Sequence, residues 1–207
     1  MKVYVVRHGE TEHNARRIHQ TYSSALSDRG VAQANAVASR LTAINADMII
    51  SSRYTRAIQT ARIISKATGV RTVSTKLLNE IKRPTVIEGH SIDSALSSRI
   101  SERMRQHYGD PHWRYSDGEN PYDFERRVRK FVSYLESKDA SALVVVTHGH
   151  VITMLIYLLL FDRDFSVDRF HRLAEFIHLD NTGITELERR GDGSWRLMAL
   201  NDYAHLG

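Results

Sequence analysis

The chain has 207 residues, 42% of them hydrophobic, with only three prolines and eleven glycines, so it can bury a sizeable core and is not a low-complexity sequence. It has no cysteine, which excludes a disulfide framework, a thiol nucleophile and any cysteine-based metal site, and fits a reducing, cytoplasmic setting. The net charge of +5 and a sequence pI near 9.5 favour an anionic partner. The basic residues are dispersed, however, and no stacking-aromatic or glycine-rich RNA motif accompanies them, so a small phosphorylated molecule accounts for the charge better than a nucleic acid.

In chain order, Val3–Val6 reads as a buried strand that stops at Arg7-His8-Gly9-Glu10-Thr11. No secretory apolar segment precedes it. Ser27-Asp28 caps a helix whose apolar positions Val31, Ala34, Ala38 and Leu41 recur at helical spacing. A second apolar run, Asp47–Ile50, stops at Ser51-Ser52. A helix follows over Tyr54–Thr68, with Gly69 as its terminator. Val70–Ser74 is the next strand. The segment from about 82 to 118 is irregular and charged, with a basic helix around Ser98–His107, and is expected to form a lid-like excursion. Asn120-Pro121 starts a helix well, because proline at the first helical position loses no needed hydrogen bond. Its core stripe is Phe124, Val128, Phe131, Val132 and Leu135, which leaves Arg126, Arg127, Arg129 and Lys130 on the wet face.

Leu143–Val146 is a near-continuous apolar strand that, like the first, ends in histidine, at Thr147-His148-Gly149-His150. The run Val151–Phe161 is too short for a bilayer, which needs about 20 residues, and reads as a buried helix; no membrane partner is expected. Strand-like runs follow at Phe176–Leu179, Ile184–Leu187 and Trp195–Leu200. Alternating strands and helices predict an α/β fold with a largely parallel sheet, in one domain over 1–207.

Ligands in such sheets bind outside the carboxyl ends of the strands. His8 and His148 both stand at strand ends, and Arg56 lies one turn into the helix after Ser51-Ser52. If those strands are neighbours, two histidines and two arginines converge on one crevice. Arginine donates two parallel hydrogen bonds to phosphate, and histidine can be the nucleophile that phosphoryl transfer needs. For His8 to attack, its other ring N–H needs an acceptor, and the Gly9 carbonyl is the candidate. Glu10 and Thr11 read as caps rather than as chemistry. The remaining histidines read as surface or packing residues. His148-x-His150 has no carboxylate–histidine set at ligand spacing beside it, so no metal site is expected.

These residues resemble the histidine phosphatase superfamily, the phosphoglycerate-mutase-like family, over nearly the whole chain. The resemblance rests on Arg7–Thr11, Asn14, Leu26–Gly30 with Gln33-Ala34, the stretch Ser51-Ser52-Arg53-Tyr54-Thr55-Arg56-Ala57-Ile58-Gln59-Thr60-Ala61, Leu78-Asn79-Glu80, Thr147-His148-Gly149, and the ending Leu200–Leu206. It implies a three-layer α/β/α sandwich, phosphoglycerate mutase-like, with helices on both faces of the sheet. It also implies that His8 accepts the phosphoryl group, that Arg7, Arg56 and His148 form the phosphate pocket, with Gly149 beside it, that Asn14 adds a contact, and that Glu80 is the general acid, with no cofactor. Charge on His148 would help hold the phosphoryl oxygens. Burial would raise the Glu80 pKa and flanking cations would lower it, so its protonation stays open.

The chain departs from the family pattern at Arg17, Thr21, Ala25 and Arg53. Gln20 and Thr21, with Lys82 and Arg83 in the excursion, are the residues expected to shape specificity. The basic excursion predicts a substrate with more than one anionic group. The favoured reading is a phosphatase of a small phosphorylated metabolite, a monomer or homodimer. The alternatives are a phosphoglycerate mutase, a phosphohistidine protein phosphatase and a non-catalytic phosphate-binding module. Against the mutase stand the 67 residues between Glu80 and His148 and the short stretch after Leu200, since mutases of this family carry longer excursions and tails.

Overall fold

The computed structural model describes residues 1–161 and 164–207. In chain order its elements are β1 (Lys2–Arg7), α1 (Glu12–Ala15), α2 (Asp28–Leu41), β2 (Met48–Ser52), α3 (Thr55–Thr68), β3 (Thr72–Thr75), α4 (Ala95–Arg105), α5 (Pro121–Glu136), β4 (Ala142–Thr147), α6 (Gly149–Phe161), α7 (Val167–Phe176), β5 (Ile184–Arg189) and β6 (Trp195–Asp202). The strands form one six-stranded sheet in the order β3-β2-β4-β1-β5-β6. The first four run parallel, β5 pairs antiparallel with β1, and β6 pairs antiparallel with β5.

Successive side chains of a strand point to opposite faces, and a sheet covered on both sides reads as a continuous apolar run. On one face Val3, Val5, Ile50, Leu143 and Val145 pack against α5, α6 and α7 through Phe124, Phe131, Tyr157 and Phe170. On the other, Val6, Ile49, Val144 and Val146 pack against α2 and α3 through Val37, Leu41, Ala57 and Ile64. The result is the expected α/β/α sandwich.

The expected terminators are in place. Ser27 accepts from the Gly30 N–H at the start of α2, and Asn120 accepts from the Asp123 N–H at the start of α5. Gly69 closes α3 at φ 71°, a left-handed conformation that costs glycine nothing. Thr11 caps α1 by accepting from the Asn14 N–H.

One expected strand is absent. Phe176 ends α7, and 177–179 join no sheet. The burial there does alternate, with Leu179 inside and Phe176 87% exposed. However, β1, whose Arg7 bonds the Leu179 carbonyl, is already flanked by β4 and β5 and has no free edge to pair with this segment.

The 82–118 excursion has its own small core of Ile87, Ile100 and Met104, joined by Trp113 and Tyr115. Backbone hydrogen bonds Gly89 N–H to His19 O, His19 N–H to His90 O and Ile92 N–H to Arg17 O tie it to the loop after α1. That seam forms one wall of a cleft above the carboxyl ends of the parallel strands. Among the described residues no helix is long and apolar enough to cross a membrane.

Candidate active site

The sheet order sets the site. β1 lies between β4 and β5, and its register pairs Arg7 with Thr147, so the residues that follow them, His8 and His148, stand side by side. The His8 N–H donates to the Thr147 carbonyl at 2.9 Å, and the two imidazole centroids are 5.1 Å apart. Both rings are buried, as is Arg56.

His8 is held from three directions. Its Nδ1 lies 2.7 Å from the Gly9 carbonyl, which can only accept, so Nδ1 carries the proton and Nε2 presents a lone pair. Arg56 Nε–H donates to that lone pair at 3.1 Å. Asn181 donates to the His8 carbonyl at 2.8 Å, and Thr60 Oγ1 accepts from the Gly9 N–H at 3.1 Å. Burial and the charges of Arg56 and Arg7 hold the His8 pKa well below the ordinary imidazole value, so the nucleophilic nitrogen is free of a proton at neutral pH.

The two arginines are anchored by carbonyls and left electrostatically short of anions. Arg7 donates to the Leu179 carbonyl, while its Nε is buried without a partner. Arg56 donates from Nη1 to the Thr21 carbonyl at 3.0 Å. Burial pulls the Arg56 pKa down to about 10, still fully charged at neutral pH. Glu80, with Asp180 for Arg7, offsets their charge only from beyond ion-pair distance, and a bound oxyanion would supply the direct partner.

His148 donates or accepts at Nε2 to Ser52 Oγ, 2.8 Å away, and its Nδ1 has no partner. Burial, Arg56 and Arg7 depress its pKa well below the ordinary value, against the pull of Glu80. In the free protein it is therefore neutral, and the charge expected on it during phosphoryl transfer belongs to the anion-bound state.

Glu80 keeps a fifth of its side chain exposed to the cleft. Its Oε1 accepts from the Ile81 N–H at 2.9 Å, and its Oε2 lies 3.3 Å from the His150 N–H and 3.4 Å from His150 Nδ1. Burial pushes its pKa up, but His150, His148 and the Ile81 N–H outweigh that and hold the carboxyl well below its usual range. The loop carrying it is clamped by Arg127, which donates to the carbonyls of Leu77 at 2.9 Å and Asn79 at 2.8 Å and pairs with Glu119. Arg127 is thus not on the wet face assigned to its cluster, because the short turn after β3 leaves carbonyls that only a reaching donor can satisfy.

The cleft measures about 540 Å³. Arg7, His8, Asn14, Gln20, Arg56, Glu80, Arg83 and Gly149 line it, as the sequence reading requires. Three expected members are not in this lining: His148 is wholly buried, its ring beside that of His8, and two others are elsewhere. Lys82 turns outward to Asp117 at 2.9 Å. The Thr21 side chain bonds Ser23 and Ser24, and only its carbonyl serves the site, through Arg56. His13, His19, His150 and His178, read as surface or packing residues, line the cleft instead. Tyr54, Thr60, Leu179 and Asn181 were also missed. Tyr54 and Thr60 belong to the motif around Arg56, but nothing local marks Leu179 or Asn181, which meet β1 only through the fold. Among the described residues no group of carboxylates, histidines or cysteines could hold a metal ion.

The sequence profile of the histidine phosphatase superfamily (branch 1) matches residues 3–203, and the chain belongs to that superfamily. It is 36% identical over 162 residues to a protein of Yersinia pestis named probable phosphoglycerate mutase GpmB, covering 77% of this chain and 75% of the relative. Among solved structures, a phosphoserine phosphatase mutant of Entamoeba histolytica in complex with phosphoserine superposes with a TM-score of 0.77 at 26% identity, covering 100% of this chain and 99% of that one. A mycobacterial glucosyl-3-phosphoglycerate phosphatase with VO3 does so with a TM-score of 0.77 at 27% identity, covering 97% and 99%. The superfamily holds phosphatases and mutases, so the chain is similar to enzymes of both kinds.

Proposed function

We propose that this chain is a phosphatase that hydrolyses a small phosphorylated metabolite through a phosphohistidine on His8. The observation that carries the reading is the orientation of His8, with Nδ1–H spent on the Gly9 carbonyl and the Nε2 lone pair turned toward Arg56 and the cleft.

In the first half-reaction a phosphoryl group enters between Arg7, Arg56 and His148, and Arg56 Nε–H transfers its hydrogen bond from His8 Nε2 to a phosphoryl oxygen. The freed lone pair attacks phosphorus, the ester P–O bond breaks, and the leaving oxygen takes a proton from Glu80. Glu80 is ionised in the free protein; the negative charge of the bound ester raises its pKa so that it takes up from solvent the proton it then gives to the leaving oxygen. In the second half-reaction water attacks phosphorus, gives a proton to Glu80, and the P–N bond breaks to release inorganic phosphate. Fixed donors around the transferring group are the main source of rate, each worth about 10²–10³.

The substrate class follows from Arg83, which lines the cleft with no ion pair among the described residues, near His19, whose Nε2 is buried and unpartnered. Together they favour a substrate with a second anionic group, a carboxylate or a second phosphate.

Hydrolysis of p-nitrophenyl phosphate tests the reaction, with phosphate release lost in His8→Ala. A stoichiometric phosphohistidine absent from His8→Ala tests the intermediate. Arg83→Ala should raise KM about tenfold for a carboxylated ester and leave p-nitrophenyl phosphate unchanged; Lys82→Ala should change neither. The mutase reading is favoured by the 36% identity to a probable phosphoglycerate mutase. Interconversion of phosphoglycerates primed by the bisphosphate, without phosphate release, would replace the phosphatase reading with it.

A further inference from the structure

Ser52 ends β2, is wholly buried, and has no part in the chemistry above. Its hydroxyl sits in a closed set of hydrogen bonds. The Tyr54 N–H donates to Ser52 Oγ at 3.1 Å, His148 Nε2 lies 2.8 Å from it, and Asn79 Oδ1 lies 3.1 Å from it. The Arg53 N–H donates to the same Asn79 oxygen at 3.0 Å.

The protons in this set can be placed. Were the Asn79 amide turned over, its NH2 would face the Arg53 N–H, donor against donor, so the oxygen is where it stands. Ser52 has one proton and meets Asn79 Oδ1, which can only accept. Giving that proton to His148 instead would leave two oxygens 3.1 Å apart with none between them. Ser52 therefore donates to Asn79, accepts from Tyr54, and has one acceptor position left for His148. His148 Nε2 must be the N–H, which makes Nδ1 a bare lone pair in the neutral ring.

That lone pair is buried and unpartnered, on a ring whose centroid lies 5.1 Å from that of His8. A lone pair repels a phosphoryl oxygen. We propose that Ser52 and Asn79 are positioning residues that hold His148 in its Nε2–H form, so that the pocket takes up one proton, on His148 Nδ1, each time it takes an oxyanion. The inference rests on reading the pocket as a phosphate site. The proton comes from solvent or arrives on the monoanionic form of the ester, and the ring becomes an imidazolium that donates to both Ser52 and the oxyanion.

The groups facing His148 fit this behaviour. His8 and Arg7 come from the β1 edge, Tyr54 and Arg56 from the start of α3, Glu80 from the loop after β3, and Arg127 from α5. In the empty pocket the three arginines keep the second proton off. A bound dianion offsets them and brings it on.

The test uses the whole protein labelled with 15N-histidine, with tungstate as the oxyanion, because it carries no proton of its own near neutral pH. Long-range 1H–15N spectra of the unliganded protein should show His148 protonated at Nε2 only; protonation at Nδ1 would overturn the proposal whatever the function proves to be. Calorimetry in buffers of different ionisation enthalpy should show about one proton taken up per tungstate at pH 8, with affinity falling about tenfold per pH unit. In Ser52→Ala the ring is free to adopt the Nδ1–H form, so the uptake and the pH slope should collapse, and Ser52→Thr should restore them. An unchanged slope in Ser52→Ala would also overturn it. Absence of any tungstate binding would count against the phosphate-site reading, and the free-state spectrum would still decide the tautomer.

Discussion

Gly30→Ala is the sharpest test of how the fold holds His8. Gly30 lies in the first turn of α2, well away from the chemistry in sequence, yet it meets the loop that follows the nucleophile. A Cβ built there would stand 2.0 Å from the Glu10 carbonyl oxygen and 2.8 Å from its nitrogen, all backbone. Gly9 is pressed reciprocally, its Cβ position lying 2.5 Å from the Gly30 oxygen. No side chain can swing aside, so α2 and the loop must separate by about 1 Å to reach the 3.0 Å floor of real contacts. The separation pulls on the Ser27 N–H to Glu10 O bond of 2.9 Å and on the Glu10 N–H to Gln33 Oε1 bond of 2.9 Å, two of the links that hold the loop to α2.

A displacement of about 1 Å beside a reacting group costs about 10² in rate. Overpacking costs about 1–3 kcal/mol, and alanine in a helix returns about 1 kcal/mol over glycine, so a net loss of up to about 2 kcal/mol and a Tm lower by up to about 8 °C are expected. The assay is kcat/KM on p-nitrophenyl phosphate with thermal melting in parallel. Gly191→Ala is the control, because a Cβ there meets nothing within 4 Å. Activity of Gly30→Ala within threefold of the parent, at unchanged Tm, would refute the reasoning that the loop is set by this contact.

Thr60→Val keeps the shape but leaves the buried Gly9 N–H without its acceptor, so stability should fall by about 1–3 kcal/mol in urea titration, with kcat reduced. Arg127→Lys replaces a fork bonded to two loop carbonyls and Glu119 by a single ammonium; the Glu80 loop should loosen and kcat fall about tenfold, while KM, set by the phosphate pocket, changes little. His8 and His148 are both held neutral by the fold, with pKa values below that of an unfolded imidazole, near 6.5. The unfolded chain therefore binds more protons below that pH. Their contribution is fully present above about pH 6.5 and is lost as pH falls, by up to about 1.4 kcal/mol per pH unit for each ring. Urea midpoints between pH 7 and 5 should show this acid loss, and His148→Gln should flatten it; an identical slope in the variant would contradict the buried neutral assignment.

The sequence by itself determined the layers and the main residues of the candidate site. Apolar runs of strand length at Val3–Val6 and Leu143–Val146, helical stripes through Ala34–Leu41 and Phe124–Leu135, and residues such as Ser27, Gly69 and Asn120 at the element ends are local signals, because hydrophobic period and capping act over a few residues. The two strand-end histidines, Arg7 and Arg56 were readable for the same reason. So was the Gly9 acceptor, since it is one bond along the chain from His8. What only the tertiary structure decided depends on contacts between distant segments. The sheet order put His8 beside His148, and left 177–179 unpaired because both flanks of β1 were taken. Arg127 and Lys82 exchanged their expected exposures because the partners that settle them, the carbonyls of Leu77 and Asn79 and the Asp117 carboxylate, lie dozens of residues away. The protonation of Glu80 and His148 was beyond the sequence as well, because it is fixed by the sum of burial and charge from elements that meet only once the chain has folded.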